Sequence, residues 1–375
     1  MDQNFASYQI GNKAHKSLGW NGEQDKNAGQ KTQESHTLDN MCVTLSATSL
    51  KSAENPMNTG FVEKERSRAL HKRNNPKKAF QQLKKYNLRL AIALEKLGDS
   101  RSKSVGLCAM TVIRRWCNNC EFEHYSGQMT CQHRLCPICQ VKRSRRLGAD
   151  ATKAVGYLDQ CGKLEDVSMY LLTLTQRNVV DGDLGCEIDR IQSALGRLVN
   201  VKEVRRNLLG SARNVEVTRN YSQYTWHPHI HMILMVRNGS PLATKSYWQE
   251  LWMKLVELDY VPEVDIRPIS SFDSVYEVSK YVAKSTELLE NLRHNELVSV
   301  IGELNNAIRK RRLITYTGIW REARKACKIS DNADADADGD GRIDKCCKCG
   351  QELMNAVMIW NGNKYVLAPS RTKQR

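Results

Sequence analysis

The stretch Trp226-His-Pro-His-Ile-His-Met-Ile-Leu-Met-Val236 decides the fold. Successive side chains of a β-strand point to opposite faces. A strand here places His227, His229 and His231 on one face and Ile230, Met232, Leu234 and Val236 on the other. The apolar face requires a core. Three imidazoles opposite it are a costly way to build a second one and a natural way to hold a metal, because neutral imidazole is the commonest side-chain ligand. A structural histidine cluster is the plainer alternative. The alternation of each His with an apolar residue favours the metal.

Working outward, Asn214-Val-Glu-Val-Thr218 reads as the partner strand of a hairpin. A helix over 186–208 precedes it, and before that a helix over 144–160 leads into the strand Tyr170–Thr175. Helices over 244–258 and 273–291 follow. The order β-α-β-β-α-α predicts an α+β fold, an antiparallel sheet with helices on one face.

The chain has 375 residues and a formal net charge of +16. Between Phe61 and Arg146, 20 Lys and Arg stand against 6 Asp and Glu. Such a block is the electrostatic footprint of a polyanion partner, most often nucleic acid, with a merely solvated basic surface as the alternative. No apolar run approaches the ~18 residues of a membrane span. Residues 1–10 lack the basic and apolar segments of a secretory signal. A soluble cytoplasmic protein is expected, with no membrane partner.

Of 13 cysteines, several lie in close pairs, which in a reducing compartment suggests metal ligation. Cys117-x2-Cys120, fifteen residues, then Cys136-Pro-Ile-Cys139 is a four-thiolate spacing suited to tetrahedral Zn2+. A closed set of four ligands has no open position, so its role is structural. Cys131 and His133 are spare candidates, and plain buried cysteines are the alternative. The isolated Cys42, Cys108, Cys161, Cys186 and Cys327 read as small buried or incidental residues. Cys346-x2-Cys349-Gly350 has the form of half a zinc ribbon, with Cys327, Cys347 or ligands elsewhere open as its completion. Asp336 to Asp344 resembles the start of an EF-hand loop, but its twelfth position is Cys347, so an acidic linker is the better reading. Met354 to Leu367 predicts a closing hairpin around Asn361-Gly362.

These features divide the chain. Residues 1–60 are polar and predict a disordered tail. Residues 61–104 form a basic helical segment, whose helix follows Pro76, points Phe80, Leu83, Leu90, Leu94 and Leu97 at a partner, and stops at Gly98. Residues 105–146 form the cysteine module and 147–292 the sheet domain. Residues 293–330 form a basic helical extension, and 331–375 the acidic linker and terminal knuckle.

On the helix Ser274–Lys284, Glu277, Tyr281 and Lys284 fall within ~60° of one another at ~100° per residue. Val275, Val278, Val282 and Leu289 lie on a different face, ~120° away. The bland reading is a surface ion pair beside a half-buried tyrosine. Next to metal-binding histidines the stripe takes on chemistry. A phenol is only about one-thousandth ionised at pH 7, yet it becomes a nucleophile when a divalent metal polarises the target phosphate.

Leu171-Leu-Thr-Leu-Thr-Gln-Arg-Asn178, His227-Pro-His-Ile-His231 and Tyr276-Glu-Val-Ser-Lys-Tyr-Val-Ala-Lys284 occur in that order. Together they resemble the three motifs of plasmid rolling-circle replication initiator (Rep) proteins, the single-tyrosine type of the HUH endonuclease superfamily. The Cys-Pro-x-Cys module and Arg312-Leu-Ile-Thr-Tyr-Thr-Gly318 are similar to that family as well. The likeness spans residues 80–320. It implies an HUH-like sheet domain preceded by a small zinc module, and a site-specific DNA nicking-closing enzyme.

By that resemblance His229 and His231 hold Mg2+ or Mn2+, with Glu216 of the neighbouring strand as third ligand and His227 ranked below them. Tyr281 matches the nucleophile that attacks the plus strand at the double-strand origin. Lys284 sits near the scissile phosphate or the metal waters. Glu277 activates water in the closing cleavage. The implied partners are plasmid origin DNA, as a single-stranded or hairpin nick site with flanking duplex, and a host helicase. A non-catalytic zinc DNA-binding regulator and a single-tyrosine HUH transposase are the competing readings.

Overall fold

The computed structural model describes residues 76–269, 285–330, 345–346 and 348–369. Expectations for residues 1–60, for the stripe carrying Glu277, Tyr281 and Lys284, for the acidic run 336–344 and for Cys347 lie outside the described residues.

Helix α1 (Pro76–Lys96) opens on proline, whose missing N–H costs nothing at a first helical position. It buries Leu83, Leu90, Ala93 and Leu94, and Gly98 at φ +68° ends it. Leu97, expected inward, is exposed. After α2 (Ser102–Leu107), strands β1 (Thr111–Trp116) and β2 (Glu123–Gly127) form an antiparallel hairpin. Helix α3 (Pro137–Gln160) then runs unbroken through residue 146, so the boundary expected there falls mid-helix.

Strands β3 (Val167–Leu174) and β4 (Val179–Val180) lead to α4 (Leu184–Leu198) and α5 (Lys202–Asn207). The single helix expected over 186–208 divides at Val199-Asn200-Val201, three poor helix formers in a row. The hairpin arms β5 (Leu208–Asn220) and β6 (Thr225–Arg237) are the longest strands described. Next come α6 (Lys245–Val256), β7 (Val264–Pro268), α7 (Ser285–Asn291), α8 (His294–Ile308), β8 (Ile314–Thr317) and α9 (Gly318–Ala326). The chain closes with β9 (Met354–Trp360) and β10 (Tyr365–Leu367), the hairpin expected around Asn361-Gly362.

The large sheet has the order β7-β3-β6-β5-β8, with β4 also paired to β6, and its strand pairs are antiparallel. On one face, Leu172, Leu174, Val215, Val217, Ile230, Met232, Leu234 and Val236 pack against α4, α6 and α8. The α+β architecture read from the sequence holds. The structure adds a second packed face: Leu171, Ala212, Ile233 and Met235 lie under Leu147, Val155 and Leu158 of α3 and Trp320 of α9. From Met232 through Val236 β6 is apolar and buried at every position. A strand that abandons alternation is covered on both faces. Burial of Ile233 and Met235 contributes roughly 1.5–3 kcal/mol apiece. The histidines occupy the other end of β6 on this same face.

A smaller sheet has the order β10-β9-β1-β2. Trp360 and Tyr365 are buried, and the Tyr365 hydroxyl donates to the Ala109 carbonyl at 2.7 Å. The segments expected to be separate at 105–146 and 331–375 thus share one sheet. None of the described helices is long and apolar enough to cross a membrane.

Gly318 joins β8 to α9 at φ +53°, and a Cβ there would lie 1.9 Å from the Leu209 carbonyl oxygen. Gly318→Ala is therefore expected to destabilise the fold by ~2 kcal/mol or more, read as a lowered midpoint in urea unfolding.

Candidate functional site

The register of β5 against β6 builds the site. Glu216 lies directly opposite His229, Asn214 opposite His231 and Thr218 opposite His227. On the other flank of β6, β3 sets Thr173 opposite His231, and β7 sets Asp265 opposite Thr173. One row thus runs Asp265, Thr173, His231, Asn214 across four strands.

The Glu216 carboxylate is buried. One of its oxygens lies 3.6 Å from His229 Nε2 and 3.3 Å from His231 Nε2. Burial pushes the Glu216 carboxyl up, but hydrogen bonds and charge from the two imidazoles together hold it well below the usual carboxylate range. It is therefore ionised at neutral pH. Burial, with the charge of His229, lowers His227, against the opposing pull of Glu216, so that ring stays neutral.

Each ring is oriented through its other nitrogen. His229 Nδ1 meets the His227 carbonyl at 3.2 Å, and His231 Nδ1 meets Thr173 Oγ1 at 3.2 Å. His229 Nδ1 must donate to a carbonyl, which fixes the ring with Nε2 toward Glu216; an ion held there would take the Nε2 lone pair, the tautomer a ligand needs. Divalent ions with ligands at ~2.1 Å set octahedral ligand atoms ~3.0 Å apart and tetrahedral ones ~3.4 Å apart. The observed separations fall close to this range, so Glu216, His229 and His231 could hold a divalent cation. His227 is turned aside: its Nδ1 bonds Asn178 Oδ1 at 2.9 Å, and its ring stacks on His229 at 5.2 Å. Beyond Asn178, the Arg177 guanidinium lies 3.9 Å over the Tyr260 ring.

The thiols form two groups. Cys108, Cys131, Cys136 and Cys139 converge in one, and Cys117, Cys120, Cys346 and Cys349 in the other. This corrects the single site expected from Cys117, Cys120, Cys136 and Cys139. The reason is the hairpin. Cys117 and Cys120 occupy the turn between β1 and β2, whereas Cys136 and Cys139 lie beyond the far end of β2. Five strand residues at ~3.3 Å each separate those ends by ~17 Å. Cys108, expected to be incidental, precedes β1 and so shares the far end with Cys131; the Ala109 N–H bonds the Met129 carbonyl there at 3.3 Å. Sequence spacing carries no signal for Cys108, which belongs to no Cys-x2-Cys pair.

In the first group the sulfurs lie 3.7 Å (Cys108 to Cys139), 3.6 Å (Cys131 to Cys139) and 3.7 Å (Cys136 to Cys108) apart. A tetrahedral zinc with bonds of ~2.3 Å sets sulfurs ~3.8 Å apart. The group fits a structural metal such as zinc. Lys84 is fully buried beside it and donates to the Gly106 and Cys108 carbonyls at 2.8 and 2.6 Å. Burial lowers its pKa, while the thiols of Cys108, Cys136 and Cys131 pull it back up. His133, the other spare candidate, stands apart, with Nδ1 accepting from the Leu135 N–H.

The family model described as "Replication protein" matches residues 123–366. The protein named "Protein rep" of Streptococcus pneumoniae serotype 2 is 31% identical over 251 residues, 62% of this chain and 73% of its own length. "Protein rep" of Lentilactobacillus hilgardii is 27% identical over 307 residues, covering 78% of this chain and 95% of its own. The chain belongs to the Rep family of replication proteins. No solved structure matches it. The match takes in the histidine strand and the terminal hairpin, and it begins after Cys108, Cys117 and Cys120.

In this Rep protein the segment carrying Glu277, Tyr281 and Lys284 lies outside the described residues, between Ile269 and Ser285. Ser285, adjoining Lys284, is fully buried, and its hydroxyl donates to Gln140 Oε1 of α3 at 2.7 Å. The Arg89 guanidinium of α1 donates to the carbonyls of Leu289 and Leu292. Helix α7, which starts at Ser285, is thus tied to α1 and α3.

Glu216→Gln removes the carboxylate charge, and Thr173→Val removes the hydroxyl at His231 Nδ1. Both variants should fold. Thr173→Val is expected to weaken Mn2+ binding by ~10-fold, and Glu216→Gln by more, measured by titration calorimetry on the full chain.

Proposed function

We propose that this Rep protein initiates plasmid rolling-circle replication by nicking the plus strand at the double-strand origin through a tyrosine–DNA intermediate, and that it rejoins or releases the strand at termination. The observation that carries this reading is the convergence of Glu216, His229 and His231 on one point of one sheet face. The match to replication proteins and the +16 charge support it.

A bound Mg2+ or Mn2+ would polarise a phosphate oxygen and stabilise the charge that develops on it. Glu216, His229 and His231 would hold that ion. The Tyr281 hydroxyl attacks phosphorus, its O–P bond forms as the bond to the 3′ oxygen breaks, and a 5′-phosphotyrosine and a 3′-OH primer result. One phosphoester replaces another, so no ATP is needed. Lys284 sits at the scissile phosphate or the metal waters, and Glu277 activates water in the closing cleavage, making termination hydrolytic. The Cys108, Cys131, Cys136 and Cys139 group holds a structural zinc. Origin DNA, as hairpin or single strand with flanking duplex, and a host helicase are the partners, in the cytoplasm.

Incubation of the protein with Mn2+ and a labelled single-stranded origin oligonucleotide should give a conjugate that survives SDS. Tyr281→Phe should abolish it while sparing duplex binding. His229→Ala should cut nicking by ~100-fold or more and leave duplex binding unchanged. An adduct mapped by mass spectrometry to Tyr276 would move the nucleophile. No adduct at all would leave a non-catalytic DNA-binding regulator.

A further inference from the structure

The second thiol group joins residues from opposite ends of the described chain. Cys117 and Cys349 are 232 positions apart, and their sulfurs lie 3.5 Å from each other. The sulfurs of Cys117, Cys120, Cys346 and Cys349 all fall within 4.8 Å of one another.

Both Cys-x2-Cys segments are shaped as metal knuckles. In the first, the Cys117 N–H bonds the Phe122 carbonyl at 3.0 Å, and the N–H groups of Asn119 and Cys120 point at the Cys117 sulfur. In the second, the Cys346 N–H bonds the Gln351 carbonyl at 2.7 Å, and the Gly350 N–H bonds the Cys346 carbonyl at 2.8 Å. The Gln351 N–H points at the Cys349 sulfur. Gly350 takes φ +74°, which glycine adopts without strain. Strand register brings the two together. Trp116, the last residue of β1, lies opposite Met354, the first of β9, so the turn after β1 meets the segment before β9.

Among the described residues, and apart from the cysteines, the buried apolar cluster at this corner consists of Phe122 and Leu353. It is separate from the two cores that pack the large sheet.

We propose that Cys117, Cys120, Cys346 and Cys349 bind a second zinc ion, distinct from the Cys108 group, that clasps the carboxy-terminal hairpin onto the amino-terminal module. All four ligands are thiolates, so the coordination shell is closed and the ion is structural. Binding releases the thiol protons to solvent and changes no oxidation state. The clasp holds β9 in place along β1. It thereby keeps Tyr365 against Phe80 and Trp360, and the Tyr365 hydroxyl on the Ala109 carbonyl next to Cys108. This site stands independently of the nicking reaction.

The test uses full-length protein purified under reducing conditions without added chelator. Metal analysis is expected to give two zinc ions per chain. Cys120→Ser and Cys349→Ser should each retain one, as should Cys108→Ser, while the double variant Cys108→Ser/Cys349→Ser retains none. Exposed Cys161 supplies the control, and Cys161→Ser should keep both. Hydrogen exchange should accelerate ~10-fold or more over residues 354–367 in Cys349→Ser relative to Cys161→Ser. Stepwise chelation of the unmodified protein should produce the same acceleration without any substitution. A single zinc in the unmodified protein would overturn the proposal. So would retention of both ions by Cys120→Ser and Cys349→Ser, a disulfide among these four cysteines, or unchanged exchange over 354–367 after chelation.

Discussion

The register of one hairpin governs the chemistry of this molecule. Glu216 faces His229 because β5 and β6 keep one alignment from Gly210 to Asn220. A slip of one residue would bring a valine, 215 or 217, onto the histidine face and turn Glu216 into the core. The alignment is secured by what lies on the opposite face and farther along. Ile230, Met232, Leu234 and Val236 enter one core, and Ile233 and Met235 the other. With both faces apolar at its distal end, the strand cannot shift without exposing buried side chains. The histidine end is held in place by packing that involves none of the histidines.

Burying the Glu216 carboxylate carries a desolvation penalty that its neighbours must offset. Two imidazoles aimed at one oxygen do so. Their other nitrogens are bound to the His227 carbonyl and to the Thr173 hydroxyl, so the rings are oriented before any ligand arrives. Such preorganisation would suit the proposed binding of an ion at these three side chains.

Sulfur serves a different purpose. Closing a loop of 232 positions costs about 5 kcal/mol in chain entropy on the (3/2)RT ln n scaling. The two apolar side chains at that corner, Phe122 and Leu353, return about 3–6 kcal/mol. The β1–β9 pairing and the burial of Trp360 and Tyr365 in the main core add to that return. A tetrathiolate ion, worth on the order of 10 kcal/mol in small zinc modules, would make the closure decisive. The Cys108 group lies at the other end of the same hairpin, where the buried Lys84 amine donates to the Gly106 and Cys108 carbonyls.

Much of this was legible in the linear chain. Alternation around His227, His229 and His231, the antiparallel α+β order, the helix after Pro76 and the closing turn at Asn361-Gly362 are all local patterns, in which side-chain periodicity and turn chemistry act over a few residues. The covering of the second sheet face could also have been read, from the unbroken run Met232 to Val236. Thr173 and Asn178 lay inside a quoted motif, but their contacts with His231 and His227 required the pairing of β3 and β4 with β6. The grouping of the thiols could not be read at all. Two Cys-x2-Cys pairs close in sequence were parted by a rigid hairpin, and each found its partners across distances that no local pattern records. Periodicity and ligand type belong to the sequence by itself. Which ligands meet was decided only by tertiary structure, because a strand of fixed length holds its two ends apart whatever the spacing along the chain suggests.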